Sequence, residues 1–288
     1  MDRSDLAKRM KGYESVSKTR LVSRMPVIIR IDGKAFHTFT RGFKKPFDEV
    51  LIKSIQDTMK YLCENIQGCV LGYHQSDEIT LVLVDYKKLN SSSWFDNEVQ
   101  KICSIAASMA TMAFNKFFKS NVEKKISEYN CSLVPQCMEI QMKRDEYHRT
   151  LLKAVSKGAM FDARCFNIPK EEVTNNIYWR QLDATRNSIQ MVGQANFSQK
   201  ELNGKSCNKI QDILFTQKGI NWNNFPTYQK RGSCCVRNKI VISVNGMMGT
   251  AQLRDTSKSE NEWIIDKNIP IFKGDGREYV DKLIYIGE

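Results

Sequence analysis

Two short pairs of residues in the N-terminal half of the chain have the chemistry of a divalent-cation site. Asp32 and Gly33 follow an apolar, β-branched run, and Asp77 and Glu78 lie between two similar runs. Magnesium prefers hard oxygen ligands and is commonly held by one or two carboxylates together with substrate phosphates. Two such ions can activate an attacking oxygen and neutralise a leaving one. Either pair alone is more often a turn or a solvated hairpin, so the metal hypothesis requires that the two pairs lie together.

The surrounding pattern predicts the elements that position these pairs. Apolar runs rich in β-branched residues are typical of strands, and apolar residues at spacings of three and four are typical of helices. In chain order the segments are a strand at 26–32, a helix at 48–67, a hairpin of strands at 69–74 and 78–86, a helix at 96–119 and a strand at 158–168. This βαββαβ order predicts an α+β, ferredoxin-like domain with an antiparallel sheet.

The predicted topology makes the two pairs neighbours. In such a sheet the first and second strands run in the same direction, and the third runs back between them. The end of the first strand and the turn of the hairpin therefore meet at one edge. We expect Asp32 and Asp77 to lie close together there, with Gly33 allowing close approach of the backbone to a metal or phosphate.

The rest of the chain predicts further helices and strands. Residues 120–157 contain a charged stretch and a possible helix near 138–155, without an assigned role. A mostly helical region follows at 171–193, 198–201 and 206–218, and from Gly232 onward β-like runs alternate with turn signals such as Asn245-Gly246. We predict a catalytic domain over 1–168. Over 169–288 we predict a helical region followed by a small β-rich tail, both packed on the catalytic domain.

The distribution of charge favours a polyanionic partner. The 288 residues include 44 Lys+Arg and 32 Asp+Glu, a formal charge of +12. Residues 1–24 hold seven basic and three acidic side chains, and 228–239 hold four basic and none acidic. Such clusters suit nucleic acid, although a solvated surface is the alternative.

Composition also limits the compartment and the redox state. With 41% hydrophobic and 26% charged residues the chain has globular usage. No window approaches ~18 uncharged apolar residues and the start has no apolar core, so we expect a cytoplasmic protein without a membrane span. Nine cysteines without a C-x-x-C pair indicate reduced thiols. A zinc site using Cys131, Cys137 and His148 is the less favoured alternative.

An ordered set of motifs resembles the signature of the tRNA-histidine guanylyltransferase family. The motifs are Arg30-Ile31-Asp32-Gly33-Lys34-Ala35-Phe36-His37, Lys45-Pro46, Gln75-Ser76-Asp77-Glu78, Lys101, Phe161-Asp162-Ala163-Arg164, Trp179-Arg180-Gln181, Lys209 and residues 221–230. Each motif alone is weak, whereas the ordered set is specific. The resemblance implies a polymerase-like palm that adds nucleotides to RNA 5′ ends, in reverse of the normal polymerase direction.

The resemblance also implies a role for each matching residue. Asp32, Asp77 and the Gly33 carbonyl would hold two Mg²⁺ ions, with Glu78 tuning this catalytic site. A nucleotide such as ATP or GTP would be bound by the backbone of Gly33, Lys34, Ala35, Phe36 and His37, with His37 against the base, and by Lys45, Ser76 and Lys101. RNA would be bound by Arg30, Trp179, Arg180, Asn187, Lys209, Lys230 and Arg231. Without the resemblance, His37 and Trp179 are more often packing residues, and Lys45 and Lys101 solvated charges.

One departure from the family pattern indicates a particular branch. The tRNA-histidine-specific branch has His-Ile-Asn-Asn after Trp-Arg-Gln, and here the run is Thr185-Arg186-Asn187-Ser188. This run resembles that of the guanylyltransferase-like proteins, which repair truncated tRNA 5′ ends against a template. We therefore expect a Mg²⁺-dependent nucleotidyltransferase acting on tRNA, and the resemblance implies a homotetramer. The alternatives are dedicated guanosine addition to tRNA-histidine, a palm-type nucleotide cyclase, and a non-catalytic RNA-binding module.

Overall fold

A computed structural model describes residues 4–131, 138–241 and 259–286. The strands are β1 (Val27–Gly33), β2 (Cys69–Gln75), β3 (Glu78–Leu83), β4 (Phe161–Asn167), β5 (Ser233–Val241) and β6 (Ser259–Asp266). The helices are α1 (Asp5–Ser15), α2 (Phe36–Phe39), α3 (Glu49–Asn65), α4 (Val99–Cys131), α5 (Met138–Lys157), α6 (Lys170–Asn196), α7 (Gln199–Leu202), α8 (Cys207–Lys218), α9 (Thr227–Arg231) and α10 (Glu278–Ile284). Short 3₁₀ turns lie at Trp94–Asn97, Trp222–Asn224 and Gly274–Arg277.

The described strands form one sheet in the order β4-β1-β3-β2-β5-β6, and all neighbours are antiparallel. The predicted succession of strand, helix, strand, strand, helix and strand is present as β1, α3, β2, β3, α4 and β4. Ile31 lies opposite Ile79 across β1 and β3, and Gln75 lies opposite Glu78 in the hairpin. The hairpin turn is therefore at the end of the sheet where β1 finishes.

The expected β-rich tail takes the form of an extension of this sheet. Tyr73 in β2 lies opposite Cys234 in β5, and β6 pairs with β5. The predicted turn at Asn245-Gly246 lies outside the described residues. Since β5 continues the sheet beyond β2, the last strands share a core with the first ones.

The core lies on both faces of the sheet. Helices α3 and α4 cover one face, where Ile31 and Phe114 are fully buried, and α6 and α10 cover the other, where Ile28 and Phe272 are buried. A third cluster joins α6 to α8. The cysteines at 63, 69, 103, 165, 207, 234 and 235 are free thiols. Among the described residues, no group of three or more potential metal-ligating side chains occurs, and Cys137 of the zinc alternative lies outside the described residues.

Helix α3 agrees closely with its prediction, whereas α4 is longer than predicted. The Asp48 side chain accepts hydrogen bonds from the backbone N–H groups of Val50 and Leu51 at 3.0 and 3.1 Å, which caps the start of α3. Helix α4 continues past residue 119 because Val122 is fully buried and Ile126 packs on the same core. Within the described residues, no helix has the length and apolar character that a membrane span requires.

Candidate functional site

Two aspartates lie at the edge of the sheet where β1 ends and the β2–β3 hairpin turns. Asp32 follows Ile31, which lies opposite Ile79, and Asp77 is in the turn just before β3. The pKa of Asp77 is raised to about 6. Burial is the main cause and the negative charge of Asp32 contributes, while a hydrogen bond from Ser76 (Oγ–Oδ1 2.9 Å) opposes the rise. The two carboxylates are thus close enough to repel one another.

Glu78 is held in place by a buried ion pair with helix α6. Arg180 donates from Nε to Oε1 of Glu78 at 2.6 Å and from Nη2 to Oε2 at 2.9 Å. Arg180 is 6% exposed and also donates to Asp183 at 2.8 Å. The guanidinium is thus buried and paired with carboxylates of its own chain, and the assignment of Arg180 to RNA binding stays a prediction.

The segment after β1 turns sharply at a position that accepts no side chain. A Cβ atom at Gly33 would lie 2.2 Å from the Phe36 ring. The Phe36 side chain belongs to the core, with its ring centroid 5.1 Å from that of Phe39. Ala35 has a left-handed backbone with φ 53°, and the Lys34 N–H donates to the Met160 carbonyl at 2.9 Å. At Phe36 a ligand can therefore contact the backbone of the turn but not the buried side chain.

A cleft of about 540 Å³ opens beside these aspartates, and we call it the main cleft. This volume lies within the usual range for small-molecule sites, ~300–1,000 Å³. The residues that line it and were predicted from sequence are Gly33, Ala35, Phe36, His37, Lys45, Ser76 and Asp77. His37 is exposed, and one of its ring nitrogens lies 3.0 Å from the Thr38 hydroxyl.

Several residues of the main cleft were not predicted. They come from the α2–α3 loop, the start of α3 and the last part of α6, and they include Lys44, Asp48, Leu51, Met191 and Gln194. Asp48 was recognisable in the sequence only as the start of a helix. Met191 and Gln194 had no signal at all, because only the packing of α6 across the sheet brings them to the cleft.

A smaller cavity of about 70 Å³, the side cavity, adjoins the main cleft. Both are lined by Asp48, Leu51, Ser76 and Met191. The side cavity also contacts His74, which is 2% exposed and whose ring nitrogens have no hydrogen-bond partner among the described residues. Asn187 and Ser188, from the run that departs from the family pattern, line this cavity.

Lys101 is not among the residues that line the main cleft. Near the first turns of α4, the Sγ atoms of Cys103 and Cys165 lie 3.6 Å apart, and Cys165 lies opposite Ile29. Asp32 lies opposite Asp162, which is three residues before Cys165 on β4. The Lys101 ammonium instead lies 5.0 Å from the centroid of the Phe95 ring. Its assignment to phosphate binding stays a prediction.

The other predicted RNA-binding residues lie on separate elements, and their roles stay predictions. Trp179 is 52% exposed, and its ring lies 4.4 Å from the Arg180 guanidinium carbon. Arg30 lies opposite Thr80 on β3, and its charge acts on Glu78. Lys209 is exposed on α8, and Asn187 lines the side cavity. Lys230 donates to the Asn223 carbonyl at 2.6 Å. The Arg231 carbonyl accepts from the Tyr73 hydroxyl at 2.7 Å.

The donor set at the sheet edge fits magnesium. Asp32 and Asp77 supply hard oxygen ligands, and the backbone carbonyl of Gly33 is adjacent to Asp32 in the chain. A cation there would offset the repulsion that contributes to the raised pKa of Asp77. Magnesium typically takes one or two carboxylates and completes its octahedron with water and phosphate oxygens.

A carboxylate pair of this kind, next to an open cleft, has the ligands for the two metal ions that polymerases and other phosphoryl-transfer enzymes use. The model of the tRNAHis guanylyltransferase family, Thg1, matches residues 7–169, which is more than half of the chain. The chain therefore belongs to the Thg1 family, whose members are nucleotidyltransferases. The resemblance noted from the sequence motifs is thus confirmed.

Relatives in the family include both branches named above. The solved structure of a bacterial tRNA(His) guanylyltransferase (Thg1)-like protein in complex with ATP is 38% identical with a TM-score of 0.76, covering 98% of this chain and 100% of that one. The tRNA(His) guanylyltransferase of Saccharomyces cerevisiae is 27% identical over 233 residues, 76% of this chain and 85% of the yeast protein. A crystal structure of the yeast enzyme, at 24% identity and a TM-score of 0.57, shares the fold.

Proposed function

We propose that this chain adds nucleotides to the 5′ end of truncated tRNA in the 3′-to-5′ direction and that the opposite strand selects each base. The observation that carries the nucleotidyltransferase part is the electrostatic interaction of Asp32 with Asp77, which lines the main cleft together with Gly33. Template selection is supported by Thr185-Arg186-Asn187-Ser188, which lacks the histidine of the tRNA-histidine-specific run. The 38% identity to a bacterial Thg1-like protein supports the same branch.

The chemistry requires an activated 5′ end. A 5′-monophosphate is a poor electrophile, so the enzyme must first transfer AMP to it from ATP, with release of pyrophosphate, or begin from a 5′-triphosphate. The 3′-hydroxyl of the incoming nucleotide then attacks the 5′ phosphorus, a new phosphodiester forms, and AMP or pyrophosphate leaves. The work of the protein is to position the reactants and to stabilise the charge that develops on the phosphoryl oxygens.

The main cleft suits the nucleotide that takes part in this reaction. The backbone of the Gly33–His37 turn, the Ser76 hydroxyl and the Lys45 ammonium would bind its phosphates. The exposed His37 would lie against its base. When bound, two Mg²⁺ ions on Asp32, Asp77 and the Gly33 carbonyl would supply further charge neutralisation. Glu78, fixed by Arg180, would hold the hairpin that carries Asp77.

In this proposal the sheet and its two crossover helices act as a polymerase-like palm. The binding of ATP and GTP by bacterial Thg1-like proteins in solved structures supports a site for either nucleotide. The homotetramer and the cytoplasmic location stay predictions.

Dedicated guanosine addition to tRNA-histidine is the second candidate, because the family model carries that description and the yeast relative has that activity by name. The test uses one 5′-truncated tRNA in four versions that differ only at the template nucleotide opposite the first vacant position. Each version is offered all four nucleoside triphosphates with a label. Addition of the complementary base in every version supports templated repair.

Two results would contradict the repair proposal. Guanosine added to every template, or extension of tRNA-histidine alone, would favour the second candidate. Formation of a cyclic nucleotide, or RNA binding without any extension, would contradict both. The matched control is the Asp32→Asn variant, which should bind the same tRNA without extending it.

A further inference from the structure

A groove runs from the main cleft along the pair of helices α4 and α5. Two adjacent cavities of about 270 and 260 Å³ form it, and they share Lys44, Lys125, Glu128 and Tyr147. We call this feature the α4–α5 groove. Lys44 also lines the main cleft, so the groove and the cleft are neighbours. This segment had no assigned role from the sequence.

The α4–α5 groove is lined by an excess of cations. Its charged lining residues are Lys44, Lys53, Lys124, Lys125 and Arg144 against Glu49 and Glu128. Lys53 also pairs with Asp57, and Lys125 lies 3.9 Å from Glu128 with both side chains about half exposed. Exposed pairs of this kind are weak, so Lys125 can exchange its partner for a phosphate.

The cations of the groove converge around one side chain. The pKa of His148 is lowered first by its partial burial, and the charges of Arg144, Lys44 and Lys125 lower it further, against the opposing effect of Asp145. Cations that come from a loop, from α4 and from α5 thus act on the same point. Their combined positive potential would attract a polyanion to this surface.

Aromatic rings fix two of these cations and tie the groove to the cleft. The guanidinium carbon of Arg144 lies 3.8 Å from the centroid of the Tyr129 ring, and the Lys44 ammonium lies 4.6 Å from that of Tyr147. The Tyr147 hydroxyl donates to Asp48 at 2.8 Å, and Asp48 lines the main cleft. The basic surface is therefore held at a defined position relative to the reacting end of a substrate.

We propose that the α4–α5 groove binds the sugar–phosphate backbone of the RNA substrate next to its 5′ end. This inference rests on the proposed function, since it assumes that the 5′ end lies in the main cleft. The cations are spread along two cavities and both helices, which matches the repeated single charges of a phosphodiester chain. A free nucleoside triphosphate concentrates its charge at one point and would need one compact cluster.

The test compares two charge-reversal variants on the same helix. Lys124→Glu/Lys125→Glu changes the groove, and Lys116→Glu/Lys119→Glu changes exposed lysines of α4 that do not line it. The two variants change the net charge equally. Each also places a new glutamate near an existing one, at Glu128 or Glu123. A general loss of charge or of helix stability would therefore affect both alike.

Affinity for a fluorescent 5′-truncated tRNA is measured with the full chain over a series of salt concentrations. We expect the groove variant to bind at least ~10-fold more weakly at low salt and its salt slope to fall by about two, roughly one per lysine. The control variant should change affinity less than ~3-fold. Lys124→Gln/Lys125→Gln gives the same readout if charge reversal impairs folding, and it should lower the slope without a thermal shift.

Equal effects of the two charge-reversal variants, or an unchanged slope in the groove variants, would overturn the proposal. A higher KM for GTP in the groove variants, with unchanged tRNA affinity, would also overturn the proposal, because the groove would then bind a nucleotide. The proposed function has a separate readout. If the unmodified chain binds tRNA through the groove but extends none, the proposed function is wrong and RNA binding by the groove is supported. If it extends tRNA and the groove variants bind tRNA normally, RNA binding by the groove is wrong and the proposed function is supported.

Discussion

His74 should make the stability of this protein depend on pH in a way that one substitution removes. The ring is buried beside the side cavity, and its nitrogens have no hydrogen-bond partner among the described residues. Burial lowers the pKa of His74 to about 4, with the Ser76 backbone opposing and Lys267 adding to the effect. The folded protein therefore keeps this histidine neutral at pH values where the unfolded chain protonates it.

The sign and the size of the effect follow from that difference. A folded-state pKa below the unfolded value of 6.5 gives stability that is present above pH 6.5 and is lost as the pH falls towards about 4. At about 1.36 kcal/mol per pH unit, the gap corresponds to roughly 3 kcal/mol of unfolding free energy. His74→Leu keeps an apolar side chain of similar size and removes the titration, so it should remove this share of the pH dependence.

The assay is urea unfolding of the unmodified chain and of His74→Leu at several pH values between 7 and 4. Between pH 7 and pH 4 the unmodified chain should lose roughly 3 kcal/mol more unfolding free energy than His74→Leu loses. Thr80→Val is the matched control, because Thr80 is also buried and its hydroxyl has no partner among the described residues, but it does not titrate. A difference between the unmodified chain and His74→Leu that is independent of pH would refute the reasoning.

Three further predictions concern the site itself. Asp32→Asn should reduce nucleotide addition by at least ~10³-fold without lowering the thermal midpoint, because it removes a metal ligand and not core packing; near-normal turnover would contradict the assignment. Arg180→Met should lower the free energy of unfolding by about 3–5 kcal/mol because Glu78 is left buried and unpaired, and Glu78→Gln/Arg180→Met should recover much of that loss in urea titrations. Gly33→Ala should cost about 1–3 kcal/mol in the same measurement, because its Cβ would enter the ring of Phe36; a neutral effect would show that the turn can relax.

The elements nearest to the site could be predicted because their signals are local. Helix α3 has a capping aspartate at Asp48 and an apolar stripe, and its observed span, Glu49–Asn65, lies inside the predicted one. The β2–β3 hairpin has two apolar runs around a short polar turn. Once the strand order is assumed, the closeness of Asp32 and Asp77 follows from geometry alone.

Elements that depend on distant packing were harder to predict. The stretch after residue 119 looks polar, yet α4 continues through it because Val122 and Ile126 extend the buried stripe and α5 packs alongside. The pairing of β5 with β2 joins Ser233 to His74, which are far apart in the chain. No local pattern specifies such a partner, since any exposed strand edge offers the same backbone groups.

Membership of a motif also did not fix a residue's position or its state. Lys101 belongs to the matching set, but it does not line the main cleft, and its ammonium lies over the Phe95 ring. Arg180 belongs to it as well, and it is buried against Glu78. For both side chains, the direction of a helix and the burial of one of its faces decide what the charge can contact.

Helix α6 connects the separate parts of the site. Arg180 near its middle fixes Glu78 beside the catalytic hairpin, Asn187 lines the side cavity under His74, and Met191 one turn later lines the main cleft. Because these residues belong to one rigid helix, a shift of α6 that breaks the buried ion pair must also move the wall of the cleft. The ion pair therefore couples the hairpin that carries Asp77 to that wall. We expect Glu78, whose two oxygens both accept from Arg180, to act through position and not through contact with the substrate. A Glu78→Gln variant should accordingly raise the KM for the nucleotide as well as reduce kcat, and a fall in kcat alone would show that Glu78 acts directly on the reacting groups.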